Sequence, residues 1–251
     1  MSVPAESPAA RPGAAPPGAP GAGGNGDHPG AGALAAWRRD TPGESRWAAA
    51  LAVAAAIVLQ VTLPARLNLS SRYLLPAVEA VLLVALVVIN PGRVDRVERP
   101  LRLIGLALIG VASVANAYSV ARLVLGLVRG TEGSAAGPLL VTGSAIYVTN
   151  VLVFALWYWE FDRGGPSARA HALDPYPDFL FPQMTTSDVA KPDWEPGFGD
   201  YLYVSYTNAT AFSPTDTLPL TRGAKAAMAL QSTVSLVTVA LVIARSVNIL
   251  K

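Results

Sequence analysis

Asp200–Thr221 reads DYLYVSYTNATAFSPTDTLPLT, and the architecture of the chain turns on whether this stretch enters a membrane. Its apolar-aromatic part, Tyr201 to Phe212, is only about a dozen residues long, against the roughly 20 that an α-helix needs to cross about 30 Å of hydrocarbon. The stretch therefore predicts a short re-entrant or interfacial helix, not a span. Ser213 can cap a following turn, with Pro214 at its first position and Asp216 three residues on. Thr221 can then cap a final helix that carries Arg222 and Lys225 at its start.

Working outward, five apolar runs read as spans: Trp47 to Leu63, Leu74 to Ile89, which is short by that standard and contains Pro76 and Glu79, Leu101 to Val128, Leu139 to Trp159 and Ala224 to Leu250. Pro64 stops the first, and the Asn90-Pro91-Gly92 turn bounds the second. The expected fold is all-α and polytopic, with about five transmembrane helices plus one short re-entrant or interfacial helix at Tyr201 to Phe212. Composition agrees, because 52% of the 251 residues are hydrophobic and 14% charged, whereas a soluble domain carries about a quarter charged residues. Residues 1–45 read as a disordered Pro/Ala/Gly-rich tail, most clearly over Met1 to Ala33, because such a composition cannot bury enough surface to offset the entropy of ordering. Residues 46–251 form the helical domain, interrupted by a long acidic, proline-studded loop over 160–200. Within that loop YPDFLFP and PDWEPGF predict local packing, while Asp162, Asp174, Asp178, Asp188 and Asp193 read as solvated carboxylates.

Arg38, Arg39 and Arg46 before the first span, and Arg93, Arg96, Arg99 and Arg102 after the second, outnumber the arginines of the first and third loops, Arg66, Arg72 and Arg129. The positive-inside rule then puts the N-terminus in the cytoplasm and the C-terminus outside. A net charge of +2 with dispersed basic residues argues against nucleic acid. With no cysteine and two histidines, no cofactor or metal centre is expected. No carboxylate stands at a spacing that pairs it with a base or nucleophile, so the chain does not read as an enzyme.

Charged groups inside spans are costly and mark either internal pairs or pathways. Glu79, Arg122 and Arg245 are the candidates, with Glu79 either snorkelling or paired to one of the arginines. In the last run Gln231, Ser235, Thr238 and Arg245 recur at i, i+4, i+7 and i+14 and share one helical face. That polar stripe either lines water or packs against a neighbouring helix.

Thr210 and Asp216, followed by an apolar helix, weakly resemble the pore loop and inner helix of potassium-type channels. Ser213, Pro214 and Thr215 stand where that family has Gly-Tyr-Gly, and proline cannot supply the backbone freedom of a carbonyl-lined filter. A broader resemblance runs through ALWYWEFDRGG, DFLFPQM, DYLYVSYTNATAFSPTDTLPLT and LVIARSVNIL, which are similar to a family of bacterial multi-pass integral membrane proteins, a domain of unknown function common in actinobacteria. It implies the plasma (inner) membrane and a shared architecture, without a defined activity. Two functional expectations follow. In the first, Thr207, Thr210, Ser213, Asp216, Gln231, Ser235 and Thr238 line a pore or vestibule of a channel-like protein, a homo-oligomer if copies must enclose the path. In the second, a non-transporting scaffold or sensor binds a partner through its acidic loop.

Overall fold

The computed structural model describes residues 35–94, 98–132, 135–186, 188–210 and 216–250. It is all-α apart from one two-residue strand pair. The helices are α1 (Trp47–Thr62), α2 (Leu74–Ile89), α3 (Arg99–Arg129), α4 (Ala136–Phe161), α5 (Pro166–Ala170), α6 (Pro182–Thr185), α7 (Phe198–Thr210) and α8 (Arg222–Leu250). Strands β1 (Phe179–Leu180) and β2 (Leu218–Pro219) pair antiparallel.

Three helices, α3, α4 and α8, are long and apolar enough to cross a membrane. The apolar α1 and α2 have 16 residues each, about 24 Å of helix. Each of the five long or apolar helices coincides with one of the five apolar runs. α3 opens with Pro100 in its first turn and closes at Gly130, whose φ of 69° is the left-handed cap that glycine tolerates best.

α4 is the central element, in contact with α1, α3, α7 and α8. α8 runs antiparallel to it at very close range: a Cβ on Gly143 would lie 2.8 Å from Val242 Cγ2, so the absence of a side chain permits the approach. α7 also runs antiparallel to α4, with Phe198 edge-on to Trp159 and, one helix half further in, Ser205 Oγ donating to Val151 O (2.7 Å). Its 13 residues extend about 20 Å into the bundle. By Leu218 the chain is back at the end where α7 began, because β2 pairs with β1 and Leu220 N–H donates to Asp178 O (2.8 Å). The short helix thus packs along one side of the bundle against α4 and α8, with Tyr203 and Tyr206 exposed on its outer face.

The two ends differ. At one end residues 35–46, the start of the α2–α3 turn at 90–94, and residues 162–186 and 188–200 fold together as a cap: Thr41 N–H donates to Ala170 O, Val94 N–H to Glu44 O and Arg46 N–H to Gly92 O. Residues 35–45, assigned to the tail by composition, are packed here, with Ala36 and Trp37 buried; residues 1–34 lie outside those described. At the far end Arg66 pairs with the buried Glu132 (2.5 Å), and Ser119 Oγ donates to Leu67 O (2.9 Å).

Candidate functional site

The polar stripe of α8 faces inward. Gln231, Ser235 and Thr238 are 0%, 1% and 2% exposed, and their partners lie on α4 and α7 or on α8 itself. Gln231 Oε1 accepts from Tyr158 Oη (2.6 Å) and Asn208 Nδ2 (2.8 Å), while its Nε2 donates to Ser205 O (3.0 Å) and Oγ (2.6 Å). A turn deeper, Asn116 Nδ2 donates to Asn150 Oδ1 (3.3 Å) and Asn150 Nδ2 to Ser235 Oγ (3.0 Å), a relay from α3 through α4 to α8. Thr238 Oγ1 donates back to Val234 O on its own helix (2.7 Å). All four hydrogen-bonding directions of the Gln231 amide are used, which is how a polar group persists in an apolar interior.

The remaining vestibule candidates do not gather with these. Thr207 and Thr210 turn their hydroxyls onto carbonyls of α7, at Val204 (3.1 Å) and Tyr203 (2.8 Å) and at Thr207 (2.8 Å). Asp216 is exposed, two residues before β2. Ser213 lies outside the described residues. Arg245 is half-buried near the far end, where Nη2 donates to Glu132 O (3.4 Å).

Glu79 is fully buried, but neither arginine is its partner. Gln60 Nε2, from α1, donates to Glu79 Oε2 (2.9 Å), and Arg122 is exposed on α3. The ion-pair alternative is therefore replaced by an amide–carboxyl hydrogen bond across the α1–α2 hairpin. Accordingly, Glu79→Gln, which keeps an acceptor for Gln60, will leave thermal stability in detergent within about 0.5 kcal/mol, whereas Glu79→Leu strands the amide and will cost about 1–2 kcal/mol. Equal losses in the two variants would contradict this pairing.

The cap holds a second polar cluster, centred on Arg169 of α5. Its side chain is 5% exposed. Nη1 donates to Trp159 O (2.6 Å) and Asp162 O (2.9 Å), Nη2 to Glu44 Oε1 (3.1 Å), and the guanidinium lies 4.9 Å over the Tyr201 ring. Glu44 also accepts from Trp159 Nε1 and from Phe198 N–H (2.7 Å). Asp162 accepts from Tyr201 Oη (2.5 Å), Asp178 N–H (2.7 Å) and Phe179 N–H (3.3 Å). Burial pushes the Glu44 carboxyl above its ordinary value, with Arg169 and the N–H donors pulling against that shift. Burial likewise raises the Tyr201 hydroxyl well above the usual tyrosine range. For Arg169 burial disfavours the cation, but the Tyr201, Glu44 and Asp162 oxygens outweigh it and hold the pKa above the ordinary arginine value.

Arg163 extends the cluster outward from a left-handed backbone, φ 52°, that a non-glycine residue adopts only when its surroundings enforce it. Its Nε donates to Asp174 O (2.7 Å), Nη1 to Trp37 O and its backbone N–H to Asp178 Oδ2 (3.1 Å); Thr221 Oγ1 closes the set on Asp178 Oδ1 (2.6 Å). The uniform reading of the loop carboxylates as solvated is therefore corrected: Asp162 is 0% exposed and Asp178 is half-buried and bonded, whereas Asp174, Asp188 and Asp193 are exposed. The aromatic-proline clusters do pack, with Phe179, Phe181 and Phe198 buried and the Phe181 and Tyr201 rings edge-to-face at 5.4 Å.

Among the described residues, no three His, Asp or Glu side chains converge where they could hold a metal ion. No family model, no curated protein and no solved structure matches the chain.

Proposed function

We propose that the chain is a multi-pass membrane protein of the bacterial inner membrane, with five spans and a cytoplasmic cap, that serves as a non-transporting scaffold or sensor. α1 and α2 complete the count as short spans packed beside α3 and α4. The cap end carries Arg38, Arg39, Arg46, Arg93, Arg99 and Arg102, the richer side by the positive-inside rule.

The observation that carries this reading is the use of the Gln231, Ser235 and Thr238 face for packing inside one chain. A water path down α8 would need those groups turned to solvent, and here their partners are Tyr158, Asn208, Ser205, Asn150 and the α8 backbone. The cap, by contrast, offers an outward cleft edged by Trp37, Tyr176, Leu180 and Leu220, with Tyr176 80% exposed. An exposed aromatic side chain beside apolar neighbours is the kind of surface that binds a protein partner.

Because the chain has no cysteine, single cysteines at Asp216, Gln231, Ser235 and Thr238 can be tested with a membrane-impermeant thiol reagent in native membranes. The expected result is labelling at Asp216 only, and no cation flux above empty vesicles from reconstituted protein. Labelling that continues down the α8 face, together with flux, would return the chain to the channel-like class.

A further inference from the structure

We propose that a groove between α3, α4 and α8 binds the ring of a prenyl quinol, a neutral lipid that carries its hydroxyls on an aromatic head. The groove is open-sided and measures about 570 Å³, within the roughly 300–1,000 Å³ typical of small-molecule sites. Ala117 and Ala121 of α3, Phe154, Trp157 and Phe161 of α4, and Val234 of α8 line it. From Ser113 to Val124 the α3 wall runs about 16 Å, long enough for a ring and the first part of a prenyl chain.

The polar groups along the groove are spent on protein partners, with one exception. Ser113 Oγ donates to Ile109 O (2.6 Å), Thr233 Oγ1 to Ala229 O (2.9 Å) and Asn150 Nδ2 to Ser235 Oγ (3.0 Å). Asn116, 5% exposed, also lines the groove. Its Nδ2 donates to Asn150 Oδ1, and that is the only hydrogen bond of its side chain among the described residues, so Oδ1 accepts from nothing. An acceptor in such apolar surroundings is costly until a donor meets it. Asn116 stands about midway along α3, as Asn150 and Ser235 do along α4 and α8, which on the five-span reading is the interior of the bilayer. A phospholipid offers only hydrocarbon at that depth, whereas a quinol brings an O–H donor.

The α4 wall suits a ring. Trp157 Nε1 donates to Ser113 Oγ (2.8 Å), and the Trp157 and Phe161 rings stack with centroids 4.8 Å apart and 21° between their planes. These contacts hold the indole in one orientation before a ligand arrives. Aromatic rings pack on such side chains in offset-stacked or edge-to-face arrangements. At the rim, Leu230 and Val237 are exposed. On the membrane reading they face hydrocarbon, where a prenyl lipid resides.

This inference rests on the membrane reading above, and the test separates the two. Carbonate extraction first asks whether the chain is integral; a chain released by carbonate would end both proposals. For the integral protein, anaerobic equilibrium binding in detergent compares a ubiquinol with one isoprene unit, its quinone, and farnesol. We expect the quinol to bind about tenfold more tightly than the quinone, which has nearly the same shape but no donor, a difference on the order of one hydrogen bond. Farnesol, with a hydroxyl but no ring, should bind at least tenfold more weakly than the quinol. Asn116→Leu should erase the difference between quinol and quinone. Ala117→Phe fills the groove from an exposed position and should lower quinol binding about tenfold at unchanged melting temperature, which keeps the test open if Asn116→Leu folds poorly. Equal binding of quinol and quinone by the parent, indifference to Ala117→Phe, or farnesol bound as well as the quinol would each overturn the proposal. So would a disulfide-linked dimer formed by Ala117→Cys in native membranes, since a second copy would then occupy the groove.

Discussion

Arg169→Ala will cost about 3–5 kcal/mol of stability, because truncating one member of a buried, hydrogen-bonded charge cluster leaves the others without compensation. The stranded groups are the Glu44 carboxylate and the carbonyls of Trp159 and Asp162. The loss will appear as a lowered melting temperature in detergent, read by the fluorescence of Trp37, Trp159 and Trp194 around the cap. Arg169→Lys will recover less than half of it, since an ammonium cannot reproduce a planar fork that reaches two carbonyls and a carboxylate at once. Glu44→Gln in the Arg169→Ala background will restore part of the stability by removing one orphaned charge. An unchanged melting temperature in Arg169→Ala would mean that the cap is held by its aromatic packing alone.

Gln231→Leu is the second large effect, about 2 kcal/mol, within the range for leaving buried donors and acceptors unpaired. Tyr158 Oη, Asn208 Nδ2 and Ser205 Oγ all lose a partner, and Tyr158 is fully buried. Thr238→Val supplies the contrast. Its hydroxyl bonds only to the carbonyl one turn back on α8, so that variant will stay within about 0.5 kcal/mol of the parent. If water rather than protein satisfied this face, both substitutions would be similarly mild. Urea-free thermal unfolding of the two variants in the same detergent separates the cases.

The apolar helices were legible because hydrophobic runs and their breakers are local signals. Pro64 and Asn90-Pro91-Gly92 stand at or next to the ends of α1 and α2. The inward orientation of Gln231, Ser235 and Thr238 could not be chosen from spacing, since one polar face serves packing and water equally well. The cap was legible only as aromatic packing. Its bonds join Trp37 to Arg163 and Glu44 to Phe198 across more than a hundred residues, and no periodicity connects such partners. Arg169 gave no signal, being one basic residue in a polar loop. The Gln60–Glu79 contact did leave one: Glu79 is the single charged residue of α2, and Gln60 stands among apolar residues on the preceding helix of the same hairpin. Two lone polar groups on consecutive apolar helices are a pairing signal.

The place of α7 against α4 and α8 also constrains how the protein is made. A 13-residue helix carrying Asn208, Thr207 and Ser205 cannot partition into lipid unaided as the ribosome delivers it, because those groups would enter hydrocarbon without partners. Ser205 bonds to α4 and to α8, and Asn208 to α8, and α8 is synthesised after both. On the proposed topology, α7 therefore waits at the membrane surface on the cap side until α8 has been inserted, then docks against α4 and α8 as a late step of biogenesis. Truncation before Arg222 would leave α7 outside the bundle and present quality-control proteases with an undocked amphipathic segment.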